Sequence, residues 1–186
     1  KIVANKFARF YIFVIRGTPM MVQSLIFYYA IFNLFKRTGM SVTEINRVWS
    51  LFISGLVTVS LNSTAYLAEV LRGGILAVDA GQMEAARSLG MTHWQAMRRV
   101  VFPQAIKNSL PAIGNEFIIN IKDSSVLCVL GVSDLMFMTR SVAGIYYKGT
   151  ECYLIAATVY LFLTYLSSLL LKTITGRMTA PDNTKR

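Results

Sequence analysis

Glu116, Asn120 and Asp123 recur four and three positions apart in a stretch otherwise rich in isoleucine and phenylalanine. At about 100° per residue they fall within roughly 60° of one another, so a helix carries them as one polar stripe. Phe117, Ile118 and Ile121 take other directions. Two carboxylates and a carboxamide in line suit an ammonium group or the polar side chain of an amino acid, and Lys122 could pair with an acid or meet a carboxylate. The competing reading is an internal ion-pair network in which Lys122 and Asp123 satisfy each other. A second polar set, Asn62, Ser63, Thr64 and Tyr66, interrupts another apolar run. Asparagine in such a place either binds a neighbouring helix or lines a cavity. Glu69 and Arg72, three apart, read as a structural pair or gate element.

Other chemistries find no support. The lone His93 has no metal-ligand spacing to a partner, and Cys128 and Cys152 sit in apolar surroundings as small core residues. No phosphate-cradling GxxxxGK[ST] loop occurs, and no nucleophile–base arrangement points to catalysis. The net charge of +10 lies in the gaps between apolar runs rather than in a basic stripe interleaved with aromatics, which argues against nucleic acid as a partner.

The elements that position these residues are membrane helices. Hydrophobic residues make up 54% of the 186 and charged residues only 15%, with a mean hydropathy of +0.50, a composition that favours a membrane class over an ordinary soluble domain. Residues 17–35, 48–68 and 152–171 carry no charge, and each run approaches the roughly 20 residues that cross a bilayer. A fourth apolar region, 109–132, holds Glu116, Lys122 and Asp123, and such charges demand a buried partner, a wet cavity or irregular backbone. Basic residues set the sidedness. Arg72, Arg87, Arg98, Arg99 and Lys107 outnumber Asp79 and Glu84, while Lys172, Arg177, Lys185 and Arg186 outnumber Asp182. Both segments, with the start (Lys1, Lys6, Arg9, Arg16), are expected to be cytoplasmic. Residues 36–47 and about 133–151 then face outward, giving four spans in one domain over 1–186.

Residues 79–102 form the most patterned loop. Asp79 caps a helix from about Ala80 to Leu89, Gly90 ends it, and Thr92 with Gln95 makes a capping box for a second helix that Pro103 interrupts or restarts. Trp94, Met97 and Val101 lie near one face of the second helix. The expectation is a bent helix pair with Ala85 and Ala86 exposed for close contact with a partner; an amphipathic surface pair with no partner reads equally well.

Glu84-Ala85-Ala86, Gly90, Val100 and Phe102-Pro103 resemble the EAA motif of ABC importer permeases, with Val100 and Phe102 in place of isoleucine and leucine. Arg16-Gly-Thr-Pro19 with Gln23, Leu61-Asn-Ser-Thr-Ala-Tyr66, Glu69, Arg72-Gly-Gly-Ile75, Gly81-Gln82, Pro103-Gln104-Ala105, Asn115 and Lys122-Asp-Ser-Ser125 are similar to the polar amino acid branch of that family. The resemblance covers nearly the whole chain. It implies an all-α membrane protein, a bundle of transmembrane helices: four here, and five in a complete subunit whose first helix precedes this start. It also implies a permease that moves a polar amino acid across the bacterial cell membrane by alternating access. Glu84, Ala85, Ala86, Ser88 and Gly90 would dock an ATPase. Asn62, Ser63, Tyr66, Glu116, Asn120 and Asp123 would meet substrate. Expected partners are ABC ATPase subunits that carry ATP and magnesium, a second copy or homologous permease, and an extracytoplasmic amino-acid-binding protein. This chain itself would bind no cofactor or metal. The alternative is a channel or ion-coupled carrier, which has no need of an ATPase dock.

Overall fold

The structure, a computed structural model, describes residues 2–179, and every regular element among them is helical. Lys1, Asp182, Lys185 and Arg186 of the charge pattern lie outside the described residues. Two compact units emerge. The first takes the chain to Tyr66 and again Ile119–Thr164; the second takes Leu67–Ile118 and the chain from Tyr165.

In the first unit, α1 (Ile2–Gly17) and α2 (Met20–Arg37) meet at a bend of 111°. Pro19 sits at the N-cap of α2 in extended conformation, φ −64° and ψ 135°. Its missing N–H costs nothing there, and its ring keeps the preceding residue from continuing α1. After a turn at Gly39, α3 (Val42–Val48) opens with a reciprocal capping box. Ser41 donates its N–H and hydroxyl to Glu44 Oε2 at 2.8 and 2.7 Å, and these bonds lower the carboxyl's pKa. Ile45 and Trp49 are buried. α4 (Leu51–Leu76) enters this unit with a small-residue face of Ser54, Gly55 and Thr58. A Cβ on Gly55 would come within 2.9 Å of Leu127, so glycine lets a 3-10 stretch, Ser124–Val129, lie close against the helix. Asp134 then caps α8 (Leu135–Tyr146), accepting from the Phe137 N–H at 2.7 Å, and α9 (Gly149–Thr179) follows. Cys128 is buried and Cys152 half-buried, both as free thiols.

The second unit holds the rest of α4, then α5 (Ala80–Ser88), α6 (His93–Ala96) and most of α7 (Phe102–Asp123). A π-helical turn, Met97–Val101, joins α6 to α7, and the Phe102 N–H reaches back five residues to Met97 O. Pro103 was expected to interrupt or restart the helix, and regular helix restarts at Phe102, just before it, after the π turn. A proline ring would clash with the carbonyl four residues earlier, and the wider π turn before it relieves that clash.

Two helices, Leu51–Leu76 and Gly149–Gly176, are each long and apolar enough to cross a membrane, and α1 with α2 makes a third if the bent pair is one span. The expected crossing over 109–132 is not one straight helix. Glu116, Lys122 and Asp123 all lie on regular helix, and the 3-10 stretch begins after them at Ser124, so the irregular backbone among the expected alternatives follows the charges rather than carrying them.

Candidate functional site

The polar residues of the first unit are knotted at the α1–α2 corner. Gln23 is 5% exposed, and its Nε2 donates to Ile15 O at 2.7 Å, Thr18 O at 2.9 Å and Thr18 Oγ1 at 2.7 Å. Its Oε1 accepts from Asn62 Nδ2 at 3.4 Å. Tyr11 donates to Leu61 O at 2.6 Å, and the Arg16 guanidinium lies 5.0 Å from the centroid of the Tyr66 ring, a cation–π distance. The Arg16-Gly-Thr-Pro19 motif with Gln23 thus folds into a corner held against Leu61, Asn62 and Tyr66 of α4. One turn along, Asn120 Nδ2 donates to Ser63 Oγ at 2.9 Å and ties α7 to α4.

Of the predicted substrate residues, the structure joins Asn120 to Ser63 and places Asn62 and Tyr66 beside the corner. Asn62 therefore binds a neighbouring helix, and its half-buried carboxamide still keeps Oδ1 free of protein hydrogen bonds among the described residues. Asp123 and Lys122 are exposed and form no ion pair with each other among the described residues, which overturns their reading as mutually satisfied. Successive helical residues diverge by about 100°, and with both heads at the surface the pairing would gain little. Gln23 and Arg16 carried no separate role in the sequence. The signal that could have found Gln23 is a long amide in an apolar run just after a helix-breaking proline, since a buried amide needs partners.

In the second unit, Glu116 is 9% exposed, so it faces protein as its charge requires. Glu69 and Arg72 form the expected pair at 2.9 Å, with the arginine largely exposed. The 79–102 loop folds as its caps foretell. Asp79 Oδ1 accepts from the Gly81 N–H at 2.7 Å, and Thr92 and Gln95 cap one another reciprocally. Gly90 takes φ +83°, the Gly90 N–H bonds Arg87 O at 3.0 Å and the Met91 N–H bonds Ala86 O at 3.2 Å, the paired closure of a Schellman helix end. Gln104 Nε2 reaches Gln82 Oε1 at 3.2 Å and fastens the start of α7 to α5.

One expectation for this loop is corrected. Glu84, Ala85, Ser88 and Gly90 are exposed, but Ala86 is only 4% exposed and presents nothing to a partner. α5 packs against α6 and the π turn, and Ala86 and Ala96 are the small residues buried as the hairpin closes. Ser88 Oγ returns to Glu84 O at 3.0 Å, a bond within α5.

An all-helical chain with bilayer-length apolar helices, carboxamides bonded between helices and a capped hairpin joining two of them defines a helical membrane protein. The comparisons make this specific. Residues 1–180 match the family model of the binding-protein-dependent transport system inner membrane component. The glutamine transport system permease protein of Escherichia coli (strain K12) is 34% identical over 176 residues, covering 95% of this chain and 76% of the relative. A probable amino-acid permease protein of Bacillus subtilis (strain 168) is 37% identical over 182 residues, 98% of this chain and 78% of the relative. A crystal structure described as an amino acid ABC transporter with histidines superposes with a TM-score of 0.78 at 45% identity, over 95% of this chain and 76% of that one. The chain belongs to the inner membrane component family of binding-protein-dependent transport systems.

Proposed function

We propose that this chain is the permease subunit of an ATP-driven importer that carries a polar amino acid across the bacterial cell membrane by alternating access. The observation that carries the reading is the 79–102 hairpin. Its exposed Glu84, Ala85 and Ser88 stand on a short helix whose end is fixed by Gly90, in the sequence context that resembles an ATPase-docking loop. A channel or ion-coupled carrier would have no use for it. Relatives described as glutamine and amino-acid permeases support the substrate class. The partners are ABC ATPase subunits that bring ATP and magnesium, a second copy of this chain or a homologous permease, and an extracytoplasmic amino-acid-binding protein. One small chain of helices cannot enclose a pathway alone. Vesicles that hold the assembled complex should take up a labelled polar amino acid only with ATP inside. Equal uptake without ATP would replace this reading with the channel or carrier.

Asn62, Ser63, Tyr66, Asn120 and Asp123 are retained as candidate substrate contacts, and Glu116, taken by itself, is the candidate whose role is decided most directly. A carboxylate left facing lipid costs about 2.5–3.5 kcal/mol on insertion scales, so its burial alone does not make it a ligand. If it meets substrate, Glu116→Gln weakens amino-acid binding while the complex assembles and keeps basal ATP hydrolysis. A drop in thermal stability with unchanged affinity would remove it from the site.

A further inference from the structure

We infer that Gln23 is a positioning residue: it fixes which atom of the Asn62 carboxamide is left to meet substrate. The inference rests on the permease reading above and adds to it which group of the substrate this position recognises. Gln23 lies buried at the α1–α2 corner, and its amide cannot turn over. Three acceptors, Ile15 O, Thr18 O and Thr18 Oγ1, surround Nε2 within 2.9 Å. The Thr18 hydroxyl gives its own proton to Val14 O at 2.8 Å, so Oγ1 can only accept from Gln23. With the nitrogen end fixed, Gln23 presents Oε1 to α4. Only the NH2 end of Asn62 can face an acceptor, and the bond is there at 3.4 Å. Oδ1 of Asn62 is thereby the free atom, a half-buried acceptor with no protein donor among the described residues.

Asn120 repeats the arrangement. One N–H of its Nδ2 goes to Ser63 Oγ, and its Oδ1 has no protein donor among the described residues. Two carboxamides of one unit thus each have one of their two N–H donors engaged by the protein and an Oδ1 without a protein donor among the described residues. The Oδ1 ends suit a ligand group rich in N–H donors, an ammonium or a side-chain amide, while a carboxylate would have only the one remaining N–H of each amide to meet. In the unrestrained case an asparagine could turn either atom to the ligand. Gln23 removes that freedom, so its effect on binding passes through Asn62.

A double-mutant cycle in the assembled complex tests this, with a panel of labelled polar amino acids, L-glutamine and L-histidine among them, as probes, read first on the unmodified protein. If no probe of the panel binds there, the permease reading fails before the cycle begins, and the inference falls with it. Given binding, Asn62→Ala should weaken the better probe by about tenfold, the scale of one buried hydrogen bond to a charged group. Gln23→Met should weaken it by a similar factor, and the double variant by no more than the larger single loss. Factors that multiply would mean that Gln23 acts through general structure, and the inference would be wrong. Unchanged affinity in Gln23→Met or in Asn62→Ala would also overturn it. Where Gln23→Met fails to assemble, Gln23→Asn keeps an amide for the acceptors around this position but is one methylene too short to reach Asn62 as well, and it should weaken the better probe by a similar factor without adding to Asn62→Ala. Affinity within about threefold of the unmodified protein there, under half the free energy of the tenfold effect, counts against the inference.

Discussion

On the permease reading proposed above, Gly90→Arg should abolish most ATP-driven uptake while the chain still inserts and assembles with its partners, and Gly90→Asn should keep most of it. The cause is backbone conformation rather than space. Gly90 holds φ +83°, and a Cβ built on it meets nothing within 4 Å, so side-chain volume is not the obstacle inside this chain. A residue with a β-carbon held there costs about 1–2 kcal/mol, while asparagine reaches the left-handed region more readily because its side chain bonds locally. The strain falls on the two backbone bonds that end α5, from Gly90 to Arg87 O and from Met91 to Ala86 O. Losing that closure lets α5 swing against α6, and the exposed edge of Glu84, Ala85 and Ser88 no longer has a fixed angle. ATP hydrolysis and uptake measured together on the reconstituted complex decide the matter. Normal uptake by Gly90→Arg would show that the fixed hairpin angle has no part in coupling.

Two neighbouring glycines on α4 should respond in opposite directions. A Cβ on Gly74 would overlap Ser109 Oγ and come within 2.7 Å of the Ala105 carbonyl oxygen, so α7 passes α4 almost in backbone contact. Ser109 Oγ also reaches Val70 O at 3.4 Å along the same contact. The serine can rotate but the carbonyl cannot, and Gly74→Ala should destabilise the protein by about 1–3 kcal/mol, as overpacking does. At Gly73 nothing lies within 4 Å. Gly73→Ala should be neutral or stabilising by up to about 1 kcal/mol, the helix-propensity gain of alanine. Thermal unfolding of both variants in one detergent gives the sign of each. Equal shifts would mean that the close approach of α4 and α7 does not limit stability.

The sequence by itself determined what is local. Charge-free runs marked α4 and α9 as membrane helices because length and apolarity are properties of a continuous segment. Asp79, Thr92 with Gln95, and Gly90 foretold the 79–102 hairpin, since a cap bonds within three residues of itself. The charge of Glu116 in an apolar run foretold that it would face protein rather than lipid. Only the tertiary structure decided the pairings: Gln23 with Asn62 across 39 residues, and Asn120 with Ser63 across 57. A helical period tells which residues share a face but not which face another helix will meet, and the energy of each possible pairing is similar until packing chooses. The same reason turned Ala86 inward, against expectation, because its burial comes from α6 and the π turn folding back on α5. It also left Lys122 and Asp123 apart, because an ion pair needs convergent geometry that neighbours on a helix lack.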